Sequence, residues 1–508
     1  MTKDSAIAKA GTLQPGRDEL FRRLDDILDF AIKNIQQIDM RHNLWNESIG
    51  PSISFADKVI TETSLLALLA KRAADKHQYP DQKIFQLCKL LDPQVRGNQS
   101  KRLLMHNPQA AVVFGIGHAA LNAAGIENAL FDHFIMQAFS SGEVFNTERL
   151  PYRKMDVIWL NNLLRPDNAI GFETTLPDGI LNSRAHPIYM NTADIYSVTH
   201  ALMYVTDFGR YRVPDTVDHA YINAVIDAAT AHHLLSDNLD IVGELIMSAV
   251  LMGNTDSLST GMAWELLTAM WDKFGFLPCP TFVAADFQSL SGSDATAYAF
   301  RHLYHTMYVG GILCCLLLNE APAVERKKKL VSTNRTALAS KLKECAVHAA
   351  AFAEMNVEDE LEDYDPANAD PLPDDEVLQF LIEKIAKHFV QNGSSKYLLA
   401  VIKQHPEWQG PAMLNILIDS MLVHAAQEYD MNLLSEMLNL VAVAGLPVTL
   451  TAEKSADFLA NQQLPEGAIG AWFVEEANLT SENAAVISGE FAKCLYRFGM
   501  YLNAVDTD

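Results

Sequence analysis

The chain has 508 residues, 49% hydrophobic and 20% charged, with a formal net charge of −24. This composition suits a packed globular protein and excludes overall disorder. So acidic a chain is a poor partner for nucleic acid or an anionic membrane surface, which are met by basic patches. It leaves open a small-molecule or peptide substrate, and assembly as a homo-oligomer.

The N-terminus, MTKDSAIAKAGTLQPGRDE, is polar and lacks the apolar run of a signal peptide. The longest apolar run, Val309–Leu318, is about half of what a bilayer span requires. Six cysteines (Cys88, Cys279, Cys314, Cys315, Cys345 and Cys494) form no CxxC pair and read as reduced thiols. The expectation is a cytoplasmic protein with no membrane segment.

Helical periodicity dominates in chain order. ELFRRLDDILDFAIKNIQQI spaces Leu20, Leu24, Ile27, Leu28, Ala31 and Ile35 along one stripe. Its acids Asp25, Asp26 and Asp29 lie beside Arg22 and Arg23 and read as a solvated face. SFADKVITETSLLALLAKRAADK, AAVVFGIGHAALNAAG, NALFDHFIMQAF and YRKMDVIWLNNLL follow as helices. Next come AYINAVIDAATAHHLL, LDIVGELIMSAVLMG and TGMAWELLTAMWDKFG. LLRPDNAIGFETTLPDGILNS and FGFLPCPTF carry the Pro, Gly, Asn and Asp of loops. Strand alternation is hard to find, so the fold class is all-α. An acidic, Pro-bearing stretch at 354–376, EMNVEDELEDYDPANADPLPDDE, reads as a solvated linker or loop. It divides a helical region at 1–353 from a second at 377–508, which either stands alone or completes the same assembly.

Two helix exits share a spacing: Leu459, Gln463, Gly467 and Ile469, and Leu267, Trp271, Gly275 and Leu277. Each has an apolar helix end, a glycine for a left-handed exit and an apolar residue to fold back. FLxxxQxxxG, carried by Phe458, Leu459, Gln463 and Gly467, resembles the helix-end repeat of the α/α-toroid terpenoid cyclases, with Trp472 displaced from the repeat's Trp position. The resemblance implies an α/α toroid or helical barrel built from antiparallel helix pairs. The DxDD acid of a class II cyclase is absent.

Three helical segments carry polar groups on apolar faces. THALMYVTDFG places His200, Tyr204 and Asp207 at i, i+4 and i+7. SDNLDIVGELIMSAV places Asp237, Asp240 and Glu244 on one face, and FRHLYHTMYVGGILCC places His302, His305 and Tyr308. If these helices line a barrel, imidazoles, carboxylates and phenols share one lumen, a set suited to acid–base work. Taken singly, His200 also reads as a core histidine and Asp207 as a turn-forming carboxylate before Phe208 and Gly209. Glu244 in an apolar run is harder to explain without a partner. The segments Thr199–Gly209, Asp240–Leu245 and Tyr304–Thr306 also resemble those of an uncharacterised family of bacterial helical proteins, which implies a natural-product or peptide-modification setting.

His302 and His305, one turn apart, are the candidate ligands of a divalent metal, with Cys279 and Cys314 as additions. The zinc-binding toroids resembling protein prenyltransferases or lanthipeptide cyclases use such mixed sets. His200 and Asp207, roughly 10 Å apart along a helix, do not meet at one ion. No GxGxxG, GxxxxGK[ST] or GxSxG occurs, which disfavours nucleotide binding and the hydrolase elbow. The expected function is an enzyme acting on a small-molecule or peptide-like substrate in a central cavity. His200 and His305 would be the acid–base pair, Glu244 and Asp207 would orient them, and Tyr204 and Tyr308 would donate hydrogen bonds. The competing expectation is a helical-repeat scaffold for a protein partner.

Overall fold

The computed structural model describes residues 13–38, 43–50, 53–236, 238–319, 334–366, 371–389, 393–469 and 481–505. Asp237 and Trp472 lie outside the described residues. The fold is all-α; among the described residues the strands are a short antiparallel pair, Ser48–Gly50 with Ile53–Ser54. Among the described residues, no helix is long and apolar enough to cross a membrane.

We number the helices of nine or more residues. The first twelve are α1 Arg17–Ile35, α2 Phe55–His77, α3 Gln82–Val95, α4 Asn98–His106, α5 Ala111–Ala123, α6 Ala129–Ser140, α7 Pro151–Leu164, α8 Thr192–Val205, α9 His219–Leu234, α10 Leu239–Leu251, α11 Leu258–Phe274 and α12 Gly292–Asn319. Their starts are chemically marked. Ser54 with Asp57 and Asn191 with Asp194 form capping boxes on α2 and α8, and Asn238 caps α10.

Six of these helices close a ring. α2 packs on α5, α5 on α7, α7 on α8, α8 on α10, α10 on α12, and α12 returns to α2. Outside it, α1 and α3 back α2 and α12, while α9 and α11 back α10. The chain does not simply alternate between ring and outer layer, since α7 and α8 follow one another in the ring. All of α10 from Leu239 to Leu251 is buried, as a helix covered on every side must be.

Two glycines let the ring close tightly. A Cβ on Gly243 of α10 would lie 2.5 Å from Val309 Cγ1 of α12. A Cβ on Gly311 of α12 would lie 2.8 Å from Leu66 Cδ1 of α2. Val309 is β-branched and stiff in a helix, so it has little room to yield.

The C-terminal helices are α13 Arg335–Phe352, α14 Asp374–Phe389, α15 Gly393–Gln404, α16 Pro411–Gln427, α17 Met431–Val443, α18 Leu450–Ala460 and α19 Ser481–Val505. α13, placed by the sequence in the N-terminal region, packs along α19 and α18. The acidic stretch is pinned rather than fully solvated. Val357 and Leu361 are buried, and the Tyr364 hydroxyl donates to the Ala442 carbonyl at 3.1 Å. This C-terminal group meets the first twelve helices where α16 packs on α9 and α15 on α11.

The two helix exits differ. Gly275 is the left-handed C-cap of α11, and Leu277 folds back into the core. α18 instead stops at Ala460, before Gln463 and Gly467. Gln463 serves the following loop, its side chain donating to the Cys345 carbonyl at 2.9 Å and the Gly467 carbonyl at 3.1 Å.

Two stability predictions follow from this packing. Gly243→Ala should destabilise by about 1–3 kcal/mol through overpacking against Val309. In an open helix the same change would instead stabilise by about 1 kcal/mol, so urea unfolding decides by the sign. The second concerns Asp419 of α16, whose carboxylate accepts from Thr449 Oγ1 at 2.6 Å. Burial, with the Asp227 charge also raising it, pushes the Asp419 carboxyl from 3.8 to about 7. A raised carboxyl costs stability above its folded value, and that cost fades as pH falls toward 4. Asp419→Asn should therefore be the more stable protein at pH 8, with its advantage shrinking by pH 5; parallel thermal-unfolding curves would contradict this.

Candidate active site

The ring encloses a cavity of about 780 Å³. Every ring helix contributes to its wall: Glu62 and Leu65 from α2, Val113 and Ile116 from α5, Asp156 from α7, His200 and Tyr204 from α8, Glu244 and Met247 from α10, and His305 and Tyr308 from α12. Ile49 of the short strand pair and Cys279–Thr281, after α11, also border it.

α10 supplies two carboxylates on one face, Asp240 and Glu244, four residues apart. They are 3% exposed each. Across the gap, His305 stands between carboxylates. Its Nδ1 lies 2.8 Å from Glu62 Oε2, and its Nε2 lies 3.3 Å from Asp240 Oδ1. The Tyr196 hydroxyl donates to Asp240 Oδ2 at 2.5 Å, and Thr199 Oγ1 donates to Glu244 Oε2. Lys58 Nζ stands 3.6 Å from Glu62 Oε1. The ligand atoms of Asp240, Glu244 and His305 lie within 4.8 Å of one another, the one such group among the described residues.

Electrostatics follow from this geometry. Burial would lower the His305 pKa, but the Glu62 and Asp240 charges hold it well above the ordinary imidazole value. Burial would raise Glu62, yet the His305 charge and hydrogen bond keep it below the usual carboxylate range. Asp240 is likewise lowered, its burial outweighed by His305 and the Tyr196 hydrogen bond. Glu244 goes the other way: burial raises it, the Asp240 charge adds to this, and His200 only partly offsets both.

A second polar group sits on α7 and α8. His200 Nδ1 lies 2.7 Å from the Tyr196 carbonyl, which can only accept, so Nδ1 carries a proton and donates. The same Nδ1 is 3.6 Å from Glu244 Oε2. Burial, then the Asp156 charge, raises the Tyr204 phenol well above its ordinary value. Burial also raises the Asp156 carboxyl, against the opposing charge of Arg153. Tyr308 is tied to α2 by Thr63 Oγ1, 3.1 Å from its hydroxyl.

His200, Tyr204, Glu244, His305 and Tyr308 thus share the cavity, but two sequence candidates do not. α8 ends at Val205, so Asp207 leaves the face that periodicity assigned to it. Asp207, Phe208 and Gly209 take positive φ angles of 47°, 53° and 84°. The Asp207 carboxylate there pairs with Arg72 Nη1 at 3.0 Å and accepts from Trp159 Nε1 at 2.7 Å. It anchors a strained turn. His302 is the other correction. Its Nδ1 lies 2.9 Å from Thr281 Oγ1 and its ring packs on Tyr298, away from the acids around His305. The residues that sequence reasoning left out of the site are Glu62, Asp156 and Tyr196; Asp240 was placed on the face of Glu244 but given no role. The Lys58–Glu62 spacing on an apolar helix was the available signal for the first.

An all-α protein built round a closed six-helix ring, with its polar side chains turned into the lumen, is the class defined so far. Residues 24–315 match the domain of unknown function DUF6895, and the chain belongs to that family. The match spans more than half of the chain and contains every residue that lines the cavity. No curated protein and no solved structure is detectably similar.

Asp207→Ala should cost on the order of 3 kcal/mol by stranding Arg72. Ligand binding in the cavity should be unchanged in the folded variant. Denaturant unfolding with calorimetric binding separates the two effects, and an unchanged unfolding midpoint would contradict the anchoring role.

Proposed function

We propose that this protein is an enzyme that performs acid–base chemistry on a small-molecule or peptide-like substrate held in the ring cavity. The observation that supports this most directly is convergence: polar side chains from α2, α7, α8, α10 and α12 meet on one lumen with apolar walls. A scaffold has no need to gather them, because dispersed polar groups can each be satisfied locally. The cavity volume is in the range of small-ligand sites and too small for a folded partner. The acidic chain and its reduced cysteines suit an intracellular bacterial setting.

The roles divide between the two polar groups. His305 has both ring nitrogens facing carboxylates and is poorly placed to shuttle protons. His200, with its tautomer set by the Tyr196 carbonyl, is the better proton carrier. Tyr204 stays protonated and serves as a hydrogen-bond donor to substrate. Leu65, Val113, Ile116 and Met247 exclude water around the reacting atoms.

The test is a thermal-shift screen of peptide and metabolite libraries on the wild type, with conversion of each hit followed by mass spectrometry. His200→Ala should keep hit binding within a few-fold and lose about 10²-fold or more in turnover. Hits that bind without conversion, or conversion indifferent to His200, would move the reading to a binding protein.

A further inference from the structure

The structure assigns a divalent transition-metal site to Asp240, Glu244 and His305, with Glu62, Tyr196 and Thr199 holding these three ligands in place. The catalytic use of the ion rests on the enzyme reading above; its binding does not.

Two carboxylates one turn apart on α10 face an imidazole on α12, with the donor atoms within 4.8 Å of one another. Three protein ligands of nitrogen and oxygen suit zinc, manganese or iron(II) better than magnesium or calcium, which favour all-oxygen sites.

Asp240 Oδ1 is buried and meets no hydrogen-bond geometry, leaving it only the ion pair across to α12. Tyr196 takes only the other oxygen. His305 Nε2 stands 3.3 Å from Oδ1 as its ion-pair partner. Oδ1 and Nε2 face one another across this gap, and a dication that displaces the Nε2 proton can take both.

Each ligand has its own restraint from outside the trio: the Tyr196 hydroxyl on Asp240, Thr199 on Glu244, and Glu62 on His305 Nδ1. The Glu62 contact fixes the proton on Nδ1 and frees Nε2 for metal, the carboxylate–histidine–metal arrangement. Charge agrees with this. Glu62, Asp240 and Glu244 crowd His305, with His200 Nδ1 3.6 Å from Glu244 and Lys58 Nζ 3.6 Å from Glu62. A buried excess of carboxylate is costly, and a dication offsets it. His305 is still 28% exposed, so an ion held here would be reachable from the cavity. That is the mark of a catalytic rather than a closed structural site.

The test uses the full chain, stripped with chelator and titrated calorimetrically with zinc, and separately with manganese. One ion per chain is expected. The double variant Asp240→Asn/Glu244→Gln should weaken binding at least 100-fold. Glu62→Gln should weaken it about 10–100-fold while keeping one ion, and His302→Ala should leave it unchanged. Because the double variant can fail to fold, X-ray absorption on the zinc-loaded wild type gives an independent reading. One imidazole nitrogen with oxygen in the remaining positions supports the assignment. No stoichiometric binding by the wild type, full binding by the folded double variant, or sulfur in the metal's shell would each overturn it. None of these outcomes depends on turnover, so loss of the metal site would leave the enzyme reading to its own test.

Discussion

The rest of the structure depends on the burial of charge along α10. This helix has no exposed residue, yet it carries Asp240 and Glu244. A buried carboxylate left without a partner costs several kcal/mol, and a domain is stable by only about 5–15 kcal/mol. Two uncompensated acids would consume most of that margin. Their compensation comes from His305 on α12 and from Tyr196 and Thr199 on α8. Those partners act only at hydrogen-bond range, so α8 and α12 must lie close against α10. Gly243 removes the side chain that would keep α12 away, and Gly311 does the same between α12 and α2. Glu62 then meets the other nitrogen of His305, Nδ1. The requirement to answer two charges therefore runs round half the ring.

Much of the fold was legible because a 3.6-residue repeat reports directly which helix face meets solvent. Five cavity residues were legible for the opposite reason, as polar groups that break an apolar face. The misses have equally physical causes. Asp207 was placed by extending periodicity past the end of α8, where three left-handed residues turn the chain and the face no longer exists. His302 is only one turn from His305, but a three-residue step rotates it far enough to reach Thr281 instead. Glu62 sits four residues after Lys58 on an apolar helix, a signal that went unread. Its decisive partner is 243 residues away. In each case only the tertiary neighbour shows the residue's place.

The C-terminal helices lie outside the family match but not outside the physics of the site. α10 can be buried on every side only if α9 and α11 cover its outer face. These two helices are in turn covered by α16 and α15. The layers run from the lumen through α10 to α9 and α11, and then to the C-terminal group. Each layer lowers the dielectric seen by Asp240 and Glu244 and so strengthens their pull on His305. The C-terminal helices, about a third of the chain, thus deepen the burial of α10 without lining the cavity. Its own buried acid, Asp419, sits on α16 at the seam with α9, where the Asp227 charge acts on it. The two carboxylate groups differ in how their charge is met. Asp419 has only hydroxyl donors, and its carboxyl rises; Asp240 has a cation within reach, and its carboxyl falls. Burial is common to both, so burial alone does not set an acid's charge state. The neighbour does, and in the lumen that neighbour is positioned by three separate helices.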